Sequence, residues 1–310
     1  MTFENILLIS WDGVQWKHLA EVGDQLNSLK KLASLGSVSK LANSDSITVT
    51  DPGHSQLLTG YFKDQTLIYE NQLDQTIPDG LCIWERLNGQ KKIFYSSRNC
   101  DSPECYAAHA FVRTEFRDGF PELTDEFDPA LYEGGDEFVL LPDLHAERCQ
   151  DGVVMQLKAE YIKNRFLEFL SGNAEKFFAF LHFGEPDAYG HIFGENSAAY
   201  TQGLLDCDAA TDAILIQLDQ MGLLTSTAIF VTTDHGFKEG GFGSGGHWSL
   251  PYPNGDPNCY ISFLVTNTLQ QGRKGLLVDL APTIFAILGI DPASFEPPLP
   301  GKKLWERPLR

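Results

Sequence analysis

The chain has 310 residues, 43% hydrophobic and 21% charged, with a formal net charge of −19 from 23 lysines and arginines against 42 aspartates and glutamates. That length can bury a large core as a single domain, and the acidic balance repels polyanions, which excludes nucleic-acid polymers as natural partners. No apolar stretch reaches the roughly 20 residues of a membrane helix, and Met1–Asn5 lacks a signal peptide's basic start and apolar run, so the expectation is a cytoplasmic protein without membrane association.

The first element is an apolar run, Ile6 to Ile9, read as a buried strand over 5–10 that delivers Asp12 and Gly13 at its end. In an open α/β sheet, ligands sit at the carboxyl ends of strands. Alone, Asp12 would be an ordinary Asp-Gly turn residue. A helix is expected over 25–35. The segment SITVTDPGHSQLLTG follows, with Pro52 placed as a first helical residue and Thr50 just before it. A hydroxyl at a helix start lies near free N–H groups and the positive helix end, a setting suited to an anion. Ser46, Thr48 and Ser55 are rival hydroxyls, and an N-capping role for Thr50 is the bland alternative.

Residues 61–150 contain a strand candidate at 92–97, but 100–150 is otherwise rich in Asp, Glu, Pro and Gly without long periodicity, and reads as a cap inserted into one domain spanning 1–310. Beyond it, a helix over 152–171 carries an apolar stripe that reads as core, and a strand is expected over 177–184. Asp187 and His191 in EPDAYGH are four apart, so a helical turn would face both to one side, as two ligands of one ion require. A helix at 198–222 precedes a strand at 227–233. Asp234 and His235 are adjacent and would point to opposite faces within a strand, so they serve one site only where the chain leaves strand geometry, a break that Gly236 supplies. His247 sits in the glycine-rich loop FGSGGHW, followed by a strand at 259–265 and a helix at 278–289. The alternation of strands and helices predicts a three-layer α/β/α sandwich with a mostly parallel sheet.

The six cysteines at 82, 100, 105, 149, 207 and 259 form neither a CxxC pair nor a zinc-finger cluster, and are expected to be reduced.

Taken in order, Asp12-Gly13, TDPGH (Thr50–His54) leading into LLTG, EPDAYGH, TDHG, a downstream histidine and the tail VDLAPTIFAILGI with GKKLW resemble the alkaline phosphatase superfamily, and within it the type I phosphodiesterase/nucleotide pyrophosphatase branch. The resemblance implies two divalent ions, usually zinc. Asp187, His191 and His247 would hold one, and Asp12, Asp234 and His235 the other, together with the Thr50 oxygen. This ligand set also suits manganese or iron. It further implies Thr50 as the nucleophile of a phosphothreonine mechanism acting on small anionic phosphodiesters or nucleotide pyrophosphates, with Asn71 as an oxyanion contact. Only twelve positions separate His235 from His247, a short spacing similar to phosphopentomutase-type and phosphoethanolamine-transferase members. A phosphomonoesterase and a phosphopentomutase-type isomerase therefore stand as alternatives.

Overall fold

The computed structural model describes residues 3–71, 75–87, 91–96, 138–142, 153–172, 176–242, 246–269 and 272–306, with 92–96, 138–142 and 153–157 described through their backbone. Its strands are β1 (Asn5–Trp11), β2 (Ser37–Ala42), β3 (Lys92–Ser96), β4 (Phe138–Pro142), β5 (Val153–Leu157), β6 (Phe177–Phe183), β7 (Thr227–Thr232), β8 (Ile261–Thr266) and β9 (Lys274–Leu276). Seven of them form one sheet in the order β3-β6-β1-β7-β8-β2-β9. The pairs β3/β6, β6/β1, β1/β7 and β2/β9 are parallel, whereas β8 is antiparallel to both its neighbours. β8 alone therefore opposes the other six.

β1, β6 and β7 are apolar on both faces because both faces are covered. On one side Leu7, Ile9 and Trp11 pack with Leu181, Phe183 and Val231. This core also takes Leu29 and Leu32 of α2 (Asn27–Leu35), Phe166 of the Ala159–Gly172 helix and Leu204 of the Ala198–Gln220 helix. On the other side Ile6 and Leu8 pack with Phe178, Phe180 and Phe230. Leu57 and Leu58 of α3 (Thr50–Thr59) and Ile284 of the Leu280–Ile287 helix close this second core. The split follows the period of two along each strand, and gives the expected three-layer α/β/α sandwich. α1 (Trp16–Val22) follows β1 directly.

The strands expected at 5–10, 92–97, 177–184, 227–233 and 259–265 all form, with ends shifted by one to two residues. The helix expected over 152–171 is corrected. Residues 153–157 (VVMQL) form β5, paired antiparallel with β4 in a separate two-stranded sheet, and the helix runs Ala159–Gly172. Two β-branched residues open that segment and favour a pleated strand. α2 starts at Asn27, two residues later than expected, where Asp208 of the Ala198–Gln220 helix accepts hydrogen bonds from the N–H groups of Asn27 (2.7 Å) and Ser28 (3.0 Å) and from the Ser28 hydroxyl. A carboxylate from another helix thus caps α2.

Much of the 61–150 region lies outside the described residues, as do Cys100, Cys105 and Cys149. Of the described part, Tyr61, Ile68, Ile83 and Trp84 pack into the second core. Cys82, Cys207 and Cys259 are buried free thiols.

Candidate active site

The sheet directions place the functional residues. β1, β6 and β7 run parallel, so their carboxyl ends share one edge, from which Asp12, the Glu185–Phe193 helix and Asp234-His235 emerge. β2 runs the same way because it is antiparallel to β8, and the chain beyond its end reaches Thr50 at the start of α3 on that edge. β7 ends at Thr232, so Asp234 and His235 lie beyond the strand and escape its alternation. Gly236 N–H then bonds to Cys259 O at 2.7 Å, turning the chain away.

Seven residues expected from the sequence converge there. His235 Nε2 lies 3.4 Å from Asp12 Oδ1, 3.4 Å from Asp234 Oδ2 and 3.4 Å from Thr50 Oγ1. Asp187 Oδ1 lies 3.3 Å from His191 Nε2 and 3.6 Å from His247 Nε2, and those two ring nitrogens are 2.9 Å apart. The His235 and His247 rings stack with centroids 4.1 Å apart, joining the two groups. Single ligand atoms of Asp187, His191 and His247 lie within 4.8 Å of one another, and so do those of Asp12, Asp187 and His235. Asp187 therefore stands between the groups, while Asp234 enters through its contact with His235. All except His191 are buried.

The geometry fits cations. His235 Nδ1 is 2.9 Å from Gly236 O, and His247 Nδ1 is 2.9 Å from Thr48 O. Carbonyl oxygens only accept, so both Nδ1 atoms carry the hydrogen and, in neutral rings, both Nε2 lone pairs face inward. The His235 lone pair then confronts two carboxylate oxygens, an arrangement of like partial charges that a cation between them would make attractive. Burial pushes the His247 imidazole well below its ordinary pKa, with neighbouring His235 adding to the shift, so the ring is held in the neutral form that ligates metals. One group offers three protein ligands, the other two carboxylate oxygens, an imidazole nitrogen and a hydroxyl; both donor sets suit an ion such as zinc.

α3 is buried along its whole length, and its N-cap residue, Val49, supplies no capping side chain. Instead Asn71 Oδ1 accepts from Asp51 N–H at 2.9 Å, which sets this exposed asparagine beside Thr50. Thr48 turns its hydroxyl to His247 O at 2.6 Å and Ser55 to Pro52 O at 2.8 Å, so both rivals are engaged by backbone. Ser46 lies in a network with Asn43 and Gln56. Gly53 is required for close approach: a Cβ there would lie 2.7 Å from Asp234 O.

Three nearby residues were not singled out by sequence reasoning. Glu185 is fully buried, which raises its carboxyl to about 7, and its Oε1 accepts from Ala159 N–H, tying two helices together. His54 and His182 contact two of the candidate ligands, Asp234 and Asp12. Their signal was present, since His182 is the one polar residue in FFAFLHF.

The family model described as type I phosphodiesterase / nucleotide pyrophosphatase matches residues 6–244, ending just before His247. Ectonucleotide pyrophosphatase/phosphodiesterase family member 3 of Bos taurus is 21% identical over 236 residues, which cover 76% of this chain and 25% of its own length. Family member 1 of Homo sapiens is 22% identical over 236 residues, 76% of this chain and 24% of its own length. The chain thus spans about a quarter of the length of these curated relatives. Among solved structures, murine ectonucleotide pyrophosphatase/phosphodiesterase 5 is similar with a TM-score of 0.58 at 14% identity, covering 96% of this chain and 97% of its own. The same murine protein, in an inactive form, has been solved in complex with AMP. A Vibrio parahaemolyticus protein of the alkaline phosphatase superfamily has a TM-score of 0.59 at 13% identity, covering 100% of this chain and 71% of its own. At these identities the solved structures establish the shared fold.

Proposed function

The chain belongs to the type I phosphodiesterase / nucleotide pyrophosphatase family, and from that premise we propose that it is a two-metal hydrolase of small phosphoric esters, acting on phosphodiesters or nucleotide pyrophosphates through a phosphothreonine at Thr50. The observation that carries this reading is the Thr50 hydroxyl, which starts α3 and lies 3.4 Å from His235 Nε2, the imidazole that also faces Asp12 and Asp234. When bound, two divalent ions, zinc first among the candidates, would neutralise charge on the phosphoryl oxygens and favour the alkoxide of the threonine. Asp187, His191 and His247 would hold one, and Asp12, Asp234, His235 and the Thr50 oxygen the other.

The chain's own groups supply the rest. Thr50 Oγ1 forms the bond to phosphorus as the leaving oxygen departs, and water then cleaves the phosphothreonine, releasing the threonine hydroxyl and the phosphate product. The start of α3 would aim its dipole at the phosphoryl group, and Asn71, which accepts from Asp51 N–H next to Thr50, would contact a phosphoryl oxygen. Burial of the ligands excludes water and strengthens these interactions. AMP bound to the murine relative supports a nucleotide as the substrate class. A cytoplasmic location belongs to the same proposal, supported by the three buried free thiols. Among the described residues no helix is long and apolar enough to cross a membrane.

The test is hydrolysis of bis-p-nitrophenyl phosphate beside p-nitrophenyl phosphate, on zinc-loaded and chelator-stripped protein. A metal-dependent preference for the diester supports the reading. Preference for the monoester replaces it with a phosphomonoesterase, and inertness toward both turns attention to a phosphomutase.

A further inference from the structure

The face of the sheet that packs against α3 is built in rows. Ile6 of β1 stands beside Phe178 of β6 and Ala228 of β7, and Leu8 beside Phe180 and Phe230. The next row, at the carboxyl edge, is Ser10 beside His182 and Thr232, and all three are buried. An apolar side chain at 182 would continue the pattern, and burying an imidazole among phenylalanines costs free energy unless its polar atoms are used. They are used toward the site. His182 Nε2 lies 2.7 Å from Asp12 Oδ2. A carboxylate accepts, so Nε2 carries the hydrogen, and a nitrogen that donates a hydrogen bond cannot itself ligate an ion.

His54 of α3 closes the arrangement from above. Its Nδ1 donates to Thr50 O at 3.0 Å with Asp234 Oδ2 at 3.4 Å, its Nε2 accepts from Ser10 Oγ at 2.9 Å, and its ring lies 4.1 Å from that of His182. The two imidazoles thus form a layer between the apolar core and the ligands, each reaching a different ligand carboxylate.

We propose that His182 is a positioning residue for metal binding. By donating to Oδ2 it fixes the rotation of the Asp12 carboxylate and commits Oδ1 to the side facing His235 Nε2, with His54 holding the His182 ring in place. The inference rests on the two-metal reading and adds to it a residue that touches neither ion nor substrate. Outer-shell hydrogen bonds of this kind are typically worth 10–100-fold in metal affinity.

The test is zinc titration of the full chain against a chromophoric chelator for wild type, H182F, H182Q and H182N, with melting temperatures of the metal-free proteins beside it. Gln carries an amide N–H near the place of Nε2, whereas Asn is too short to reach Asp12. Expected are two equivalents for wild type, one of them bound about 10–100-fold more weakly in H182F and H182N, and recovery of most of that loss in H182Q. Wild-type affinity in H182F, or equal affinities in H182Q and H182N, would overturn the proposal. The Gln and Asn pair decides the matter even where H182F does not fold. A fall in metal-free melting temperature with unchanged zinc affinity would leave His182 a packing residue only. A wild-type chain that binds no zinc would instead bring down the two-metal reading itself.

Discussion

Gly53→Ala tests how tightly α3, which begins at the proposed nucleophile Thr50, is pressed onto the loop that carries Asp234. A Cβ at 53 would lie 2.7 Å from Asp234 O, 2.9 Å from Asp234 Cβ and 3.0 Å from Asp234 C, against 3.4 Å for the near edge of ordinary contact. None of these atoms is the end of a flexible side chain, so α3 and the loop must separate by roughly 0.7 Å, the difference between 3.4 and 2.7 Å. Overpacking of this kind costs about 1–3 kcal/mol, and alanine in a helix returns about 1 kcal/mol relative to glycine. The net loss is then about 0–2 kcal/mol, a fall of at most a few degrees in Tm. The rate should suffer more, because Thr50 starts the displaced helix and Asp234 is the group it is displaced from, and a 1 Å misplacement can cost about 100-fold. The expected outcome is a roughly 10–100-fold lower kcat on bis-p-nitrophenyl phosphate with a nearly normal melting curve. Gly23→Ala is the control, since nothing lies within 4 Å of its Cβ and its φ of −54° suits any residue. It should leave kcat unchanged. Wild-type kcat in Gly53→Ala, measured at saturating zinc, would refute the argument that this contact sets the distance between nucleophile and ligands.

Two further outcomes follow from other contacts. Thr50→Ala should abolish turnover while bound metal, read by elemental analysis after dialysis, stays close to two equivalents; surviving activity would hand the nucleophile role to another hydroxyl. Asp208→Ala removes the acceptor for Asn27 N–H, Ser28 N–H and the Ser28 hydroxyl, and should cost about 1–2 kcal/mol in a urea denaturation series while leaving kcat intact; an unchanged midpoint would mean that solvent caps α2 equally well.

The central strands were legible because burial on both faces leaves an unmistakable signal, a run such as NILLISW or FFAFLHF with few or no charges. β2 was not, because SVSKLA alternates buried and partly exposed positions with a lysine in the middle and is too short to stand out. β5 was absorbed into the following helix because VVMQL contributes apolar residues at spacings that a helix also tolerates. The candidate ligands, which the fold brings together, could be picked out as an ordered series of motifs, each weak alone. The partition of their carboxylates was less legible: pairing by motif sets Asp187 with its own two histidines, whereas in space its oxygen also falls within reach of Asp12 and His235. Helix spacing predicts which side chains share a face but says nothing about what faces them from the next strand. His182 was overlooked for a related reason, since an apolar run is read for its majority, and the exception carries the polar contact.

The single reversed strand has a consequence for how this site could diversify. Because β8 runs against β7, the chain leaves the sheet at Thr232 and re-enters it at Ile261 on the same edge, with no crossover to make in between. The intervening residues, which include Asp234, His235 and His247, owe the sheet nothing but their two ends, and each doubling of such a loop adds only about 0.6 kcal/mol of closure entropy. Here a segment as large as a small domain could be spliced between His235 and His247 while the seven-stranded scaffold and the other ligands stay in place, so substrate range and scaffold stability can change independently of one another.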